Sequence, residues 1–149
     1  MRRNVRSRAV GRAACLLAVC TGMFLAACGS ASPSIPSGRM IGVGERDFHI
    51  AVDTVAVAAG DYVLRIHNAG PDQHELIVVP DHRGGLPLRA DGFTTNEEAV
   101  QSSEPGAVDP QPPGATTSLR VHLKPGRYVL FCNMAGHFMA GMHTDLVVS

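Results

Sequence analysis

The stretch that most constrains this chain lies near its C-terminus, where a cysteine, a histidine and a methionine follow one another at equal spacing. Residues 128–143 read Tyr-Val-Leu-Phe-Cys-Asn-Met-Ala-Gly-His-Phe-Met-Ala-Gly-Met-His, so Cys132, His137 and Met142 form a Cys-x4-His-x4-Met pattern. A thiolate, an imidazole and a thioether are soft ligands, which select copper over hard cations such as magnesium or calcium. The spacing therefore predicts a copper site.

A site of this kind uses two histidines, one cysteine and a weak axial sulfur, so one histidine must come from elsewhere in the chain. His74 is the best candidate, because it follows a turn after one predicted strand and opens the next. Met139 is a rival for the axial position, and His143 is a lesser alternative ligand. The remaining histidines are interpreted as ordinary surface or core residues: His49, His67, His82 and His122.

The N-terminus has the composition of a secretory signal. Residues 1–12 carry five arginines and no acid, and an apolar run of about 15 residues follows, shorter than the roughly 20 that cross a membrane. The run ends in Leu-Ala-Ala-Cys at 25–28, which resembles the bacterial lipoprotein box. This resemblance implies cleavage before Cys28 and a lipid on its sulfur, which would place the protein on the extracytoplasmic or periplasmic face of the cell membrane.

The cysteine count then points to a single thiol in the folded part. Of the four cysteines, Cys15 and Cys20 lie in the signal and Cys28 would carry lipid, which leaves Cys132. A lone thiol in an oxidising compartment is vulnerable to oxidation unless a metal occupies it.

Charge argues against nucleic acid as a partner. The chain has 13 basic and 13 acidic residues, and the five arginines of the signal leave eight basic residues in the mature part, a net charge of −5 with neutral histidines. Nucleic-acid-binding proteins need a basic face.

The rest of the chain predicts an all-β domain. Residues 28–39 form a polar, proline-broken tether, and from Met40 short apolar runs alternate with turn residues. We expect strands at residues 46–52, 54–58, 62–68, 75–79, 117–123, 127–131 and 144–148, arranged as a sandwich or barrel. Residues 81–116 are predicted to be a long loop with a helical turn at 97–102. In the strand 127–131, Tyr128 and Leu130 share a face that Cys132 continues, so the thiol is expected to point inward.

These residues together resemble the cupredoxins, the small blue (type 1) copper proteins. The Cys-x4-His-x4-Met loop is similar to that of the rusticyanin and sulfocyanin type, and the Asn-x-Gly-x-x-x-His-Glu segment at 68–75 is similar to small bacterial members. The resemblance implies a Greek-key β-sandwich at 40–149 that holds one copper ion cycling between Cu(I) and Cu(II). It makes His74, Cys132 and His137 the equatorial ligands and Met142 the axial one. Many members have Asn or Ser after the first histidine, where it braces the ligand loops, and this chain departs from that pattern at Glu75.

The expected organisation is thus a signal peptide at 1–27, a lipidated N-terminus and tether at 28–39 and one copper-binding domain at 40–149. The expected function is that of a membrane-anchored electron carrier, not an enzyme, which works as a monomer and meets redox proteins through weak, transient contacts. Electrons would pass through His137, surrounded by an apolar rim of Met134, Phe138, Met139 and Ala140. The alternative is copper binding or delivery in the cell envelope, since Met134, Met139 and His143 add soft ligands around the same loop.

Overall fold

The computed structural model describes residues 39–81 and 85–149, which fall in one compact unit built of two β-sheets. The predicted signal peptide, Cys28, most of the tether and His82 lie outside the described residues. In chain order the elements are β1 Met40–Arg46, β2 His49–Val52, β3 Ala56–Val57, β4 Gly60–Asn68, β5 His74–Pro80, the helix α1 Glu97–Val100, a 3₁₀ turn Gln101–Ser103, β6 Gly106–Gln111, β7 Thr116–Leu123, β8 Gly126–Phe131 and β9 His143–Val148.

The two sheets form a sandwich. One sheet has the strand order β2-β1-β4-β7 and the other has the order β3-β9-β8-β5-β6. Most neighbouring strands are antiparallel, whereas β1 pairs with β4, and β3 with β9, in parallel. The prediction of an all-β sandwich is confirmed. In the part of the chain that the structure describes, no helix has the length and apolar character needed to cross a membrane.

The alternation predicted for the strands builds the main core. On β4, Leu64 and Ile66 are buried, and they pack in the same cluster as Leu130 and Cys132 at the end of β8. Side chains two residues apart on a strand share a face, so the register that buries Leu130 also buries the thiol. The inward direction predicted for Cys132 is therefore confirmed.

A second, smaller core explains why β5 reads as an uninterrupted apolar run. Ile77 and Val79 face away from the main core and pack with Phe131 and with Val100 of helix α1. Strand β5 is thus covered on both faces, which is typical of runs without polar alternation. The segment predicted as a long loop therefore serves to cover the outer face of this sheet.

Two parts of the strand prediction are wrong. The single strand expected at 46–52 is divided by a turn at Asp47 and Phe48, and most of β1 precedes it. Phe48 adopts a φ of 61°, which is uncommon for residues other than glycine. The loop at 81–116 also contains β6, an edge strand whose glycine and proline disguise it, since proline is tolerated where no neighbour needs its N–H. The helical turn predicted at 97–102 is present as α1 and the 3₁₀ turn.

Candidate metal centre

His74 occupies the first position of β5 and is fully buried. Its Nε2 is 3.0 Å from Oδ1 of Asp47, so Nε2–H donates to the carboxylate. Its Nδ1 finds no hydrogen-bond partner among the described residues, although it too is buried. Buried polar atoms without a hydrogen-bond partner are rare in proteins and call for an explanation. Here the lone pair of Nδ1 is available to a metal ion.

Cys132 and His137 complete a compact group of three ligand atoms. The Sγ of Cys132 is 3.5 Å from Nδ1 of His137, and the ligand atoms of these residues and His74 all lie within 4.8 Å of one another. Tetrahedral metal sites with metal–sulfur and metal–nitrogen bonds of ~2.3 and ~2.1 Å separate the two ligand atoms by about 3.6 Å. The spacing observed between Sγ and Nδ1 is thus that of two ligands of one ion.

The electrostatic surroundings of the two loop ligands differ. Burial raises the pKa of the Cys132 thiol to about 11, although the backbone N–H groups of Glu75 and Met134 donate to its sulfur and act in the opposite direction. Burial and the proximity of His74 lower the pKa of His137, with Asp47 and Asp72 opposing that effect through their charges. The neutral form of the imidazole, which binds metals, is therefore favoured, whereas the thiol would lose its proton to solvent when a metal ion binds to the sulfur.

The loop from Cys132 to Met142 is closed by backbone hydrogen bonds. The N–H of Cys132 donates to the carbonyl of Met142 over 3.1 Å, and the N–H of Met142 donates to the carbonyl of His137 over 3.0 Å. Gly136 and Gly141 have φ values of 85° and 100°, so the backbone bends sharply just before His137 and just before Met142.

The two candidate axial methionines occupy different environments. Met142 is fully buried in the cluster that contains Cys132, whereas Met139 is 53% exposed. The assignment of Met142 as the axial ligand stays a prediction, and its burial in the same cluster as Cys132 favours it over Met139.

No protein-family model matches the chain, and a search of curated proteins gives no match. Among solved structures, the auracyanin of the photosynthetic bacterium Roseiflexus castenholzii is 18% identical, with 76% of this chain and 99% of auracyanin aligned and a TM-score of 0.56. Auracyanin A, a "blue" copper protein of Chloroflexus aurantiacus, is 20% identical over 74% of this chain and 98% of its own, with a TM-score of 0.54. Rusticyanin from Thiobacillus ferrooxidans is 16% identical over 76% and 79%, with a TM-score of 0.56.

The chain has the cupredoxin fold. The resemblance noted in the sequence is thus confirmed for the architecture. Within that fold the structure brings His74, Cys132 and His137 together at one end of the sandwich.

Glu75, the position at which the sequence departs from the usual cupredoxin pattern, connects the two ligand segments. The backbone N–H of Asn133 donates to the Glu75 carboxylate, which joins the residue after His74 to the residue after Cys132. Burial, together with the charge of Glu97, raises the pKa of Glu75 to about 7 despite this bond. A β-bulge between His74 and Leu76 accompanies this position, and bulges commonly redirect a side chain near a functional site.

Asn133 extends this connection to the segment that covers β5. Its side-chain oxygen accepts from the N–H of Thr95 over 2.5 Å, and its amide donates to the carbonyl of Thr95 and to the Glu97 carboxylate over 3.0 and 2.6 Å. The residues at 95–97 therefore hold the start of the loop from Cys132 to Met142 in place. Nothing in the composition of the 81–116 segment indicated this role.

The surroundings of His137 correct the predicted rim. Phe138 is partly buried and packs edge-to-face on Phe131, with ring centroids 5.5 Å apart, so it belongs to the second core. Phe48 from the β1–β2 turn is 50% exposed and packs edge-to-face on the His137 ring, with ring centroids 5.4 Å apart. Met139 and Ala140 of the predicted rim are exposed as expected, and we call the two large exposed residues, Phe48 and Met139, the rim.

The other histidines of the described chain have separate roles. His67 contacts Thr116, and His122 pairs with Asp61 on the surface. His49 and His143 are exposed, and the ring of His143 packs on Phe138. None of these residues belongs to the three-ligand group found in the described part of the chain.

Sequence reasoning missed three residues beside the centre. Asp47 and Phe48, which contact the two histidines, were placed inside a strand rather than in a turn. Glu45 is a fully buried carboxyl near the end of β1, and its register with Ile41 and Val43 could have revealed it, because residues two apart share the core face.

Proposed function

We propose that this protein is a mononuclear blue copper protein that carries electrons. The observation that carries the proposal is the buried group of His74, Cys132 and His137, whose ligand atoms lie within 4.8 Å of one another. It stands at one end of a fold shared with auracyanin A, a "blue" copper protein.

The residues present fit a copper ion. His74 would bind through Nδ1, the buried atom that finds no partner among the described residues, and His137 would bind through the Nδ1 that faces Cys132. Two imidazoles, one thiolate and a weak thioether are the ligand set of type 1 copper. When bound, copper would supply a one-electron couple between Cu(I) and Cu(II), with Met142 as the axial ligand that tunes its potential. The protein's own part is to orient these ligands and to keep water away from them.

The burial of the ligands favours electron transfer over copper delivery. A delivery site exchanges its ion with a partner and needs accessible thioethers, whereas Cys132, His74 and Met142 are each fully buried. Met139 does offer an exposed thioether in the same loop. It stands alone on the loop surface, however, because Met134 is partly buried against the main core.

Electrons would enter and leave through His137, which is partly exposed, packs against Phe48 of the rim and precedes Met139 by two residues in the chain. A small apolar surface suits the brief contacts that redox proteins make with one another. The proposal therefore includes redox protein partners, a monomeric state and no enzymatic activity of its own.

Lipidation at Cys28 would anchor this carrier to the extracytoplasmic side of the cell membrane. Residues 29–39 would span at most about 40 Å when fully extended. Strand β1 begins at Met40 and runs for about 20 Å before its turn contacts the metal centre, so the anchor would attach at the end of β1 far from the rim. Mass spectrometry of the native protein should find Cys28 as a lipidated N-terminus, and an unmodified N-terminus elsewhere would contradict this part.

The visible absorption spectrum of the oxidised, copper-loaded protein tests the proposed function. A buried copper–thiolate bond should give an intense charge-transfer band, which Cys132→Ser should abolish together with most of the redox activity. Met139→Leu is a control in the same loop and should leave the band intact, because its side chain is largely in solvent. A colourless wild-type protein that binds Cu(I) tightly and passes it to an acceptor would instead support copper delivery.

A further inference from the structure

The turn between β1 and β2 contacts both proposed histidine ligands through two consecutive residues. Asp47 accepts the Nε2–H of His74 over 3.0 Å, and the next residue, Phe48, packs edge-to-face on His137. Phe48 holds a left-handed backbone conformation, with φ at 61°. Such conformations persist where the surrounding structure enforces them, and they are frequent at ligand sites.

The contact with Asp47 decides which nitrogen of His74 is free. A neutral imidazole carries one proton, and a carboxylate that accepts from Nε2 holds it there. Nδ1 then keeps its lone pair and finds no protein partner in the described chain, and a ligand atom of this ring lies within 4.8 Å of those of Cys132 and His137. In the opposite tautomer, Nδ1 would carry the proton and could not bind a metal.

The packing around this hydrogen bond encloses it. A Cβ added to Gly70 would lie 2.8 Å from Oδ1 of Asp47 and 2.8 Å from Nε2 of His74, closer than real Cβ contacts. The N–H of Ala69 also donates to the backbone carbonyl of Glu45 over 2.8 Å, which ties the loop before His74 to the end of β1. The bond between Asp47 and His74 is therefore held by the backbone on both sides.

We propose that Asp47 is a positioning residue of the metal centre, which fixes the tautomer and orientation of His74 and favours the oxidised ion through its negative charge. Carboxylates behind a histidine ligand fix the ring and raise its basicity, and removing them typically lowers metal affinity by 10–100-fold. A negative charge close to the ion also stabilises the more highly charged oxidation state. The part of this inference that concerns copper rests on the proposed function, whereas the tautomer of His74 can be measured without metal.

Two substitutions at Asp47 separate hydrogen bonding from charge. Asp47→Asn keeps an oxygen that can accept from Nε2–H but removes the charge, and Asp47→Ala removes both. Asp72→Asn is the matched control, because Asp72 is an exposed carboxylate whose charge also acts on His137. Gly70→Ala is an independent variant that keeps the charge of Asp47 but should separate its carboxylate from the ring.

The first measurement is the NMR spectrum of the ¹⁵N-labelled, copper-free protein. We expect wild type, Asp47→Asn and Asp72→Asn to show His74 protonated at Nε2, and Asp47→Ala and Gly70→Ala to show a mixture of tautomers. The same Nε2–H tautomer in folded Asp47→Ala as in wild type would overturn the positioning role, whether or not the protein binds copper.

The second measurement is the Cu(II) affinity and the reduction potential of the loaded protein. Asp47→Ala should lower Cu(II) affinity by about 10- to 100-fold. The potential should shift upward in Asp47→Ala and in Asp47→Asn, because loss of the negative charge weakens Cu(II) binding more than Cu(I) binding. A shift in Asp72→Asn as large as that in Asp47→Asn would overturn the specific role of Asp47. Absence of a blue copper band in wild type would refute the proposed function while leaving the NMR result to decide on Asp47.

Discussion

Glu45 should make the stability of this protein fall as the pH rises from weakly acidic to neutral. Its side chain is fully buried on β1, and both carboxyl oxygens lack a hydrogen-bond partner among the described residues. Burial, with a smaller effect from Glu75, raises the pKa of Glu45 from 4.5 to about 7. At 1.36 kcal/mol per pH unit, this change corresponds to about 3 kcal/mol of stability.

The sign follows from proton binding in the two states. Between pH 4.5 and about 7 the folded protein keeps the proton on Glu45 while the unfolded chain has lost it, so the free energy of unfolding falls as the pH rises. The contribution is fully present below pH 4.5 and is lost above about pH 7. Glu75, whose pKa is likewise raised from 4.5 to about 7 and which is more exposed, acts in the same direction.

The substitution Glu45→Gln removes this titration while keeping the shape of the side chain. We expect equal stability at pH 4.5 and a gain of about 3 kcal/mol over wild type at pH 8. Urea denaturation of the copper-free protein, followed by circular dichroism at both values of pH, measures the difference without a contribution from metal binding. Glu98→Gln, at an exposed position of helix α1, removes the same charge and should show no such dependence on pH. A Glu45→Gln variant less stable than wild type at pH 8, or offset equally at both values of pH, would refute the reasoning.

Two further predictions concern the loop from Cys132 to Met142. Met142→Gln should keep copper but lower the reduction potential measured by voltammetry, because an oxygen ligand favours Cu(II). Met139→Gln should leave the potential near that of wild type. The reverse outcome would assign the axial role to Met139. Met139→Lys should slow electron exchange with a redox partner in stopped-flow measurements while the absorption band stays intact. Phe138→Lys, by contrast, should lower the free energy of unfolding by roughly 3 kcal/mol or more, because it places a charge against the second core.

The candidate ligands that lie close together in sequence could be recognised there, because their spacing is itself the signal. Cys132, His137 and Met142 lie on one loop after one strand, and the alternation along β8 gave the direction of the thiol. His74 was chosen by its position after a turn, and the structure places it within reach of the other two equatorial candidates. The fold class followed from short apolar runs and turn residues, which depend on local properties of the chain.

The residues that surround the candidate ligands could not be predicted, because they come from distant parts of the chain and are brought to the site by long-range strand pairing. Asp47 reaches His74 because β1 pairs in parallel with β4, and no local period encodes that contact. Glu45 interrupts an apolar register with a carboxyl side chain, and Gly42 and Gly44 further weaken the strand signal of β1. Asn133 acts through Thr95, 38 residues earlier in the chain.

The contacts around the candidate ligands make the site a property of the whole sandwich and not of the loop from Cys132 to Met142 alone. His74 is held by Asp47 from the β1–β2 turn, and the sulfur of Cys132 accepts from the backbone of Glu75 on β5 and of Met134 on its own loop. These bonds join protein groups to one another, so they set the ligand directions without the help of a metal. Ligands fixed in this way need little rearrangement when the charge of the ion changes. A site whose geometry is imposed by strands from both sheets is thus suited to an ion that stays in place and exchanges electrons, rather than to an ion that is handed on.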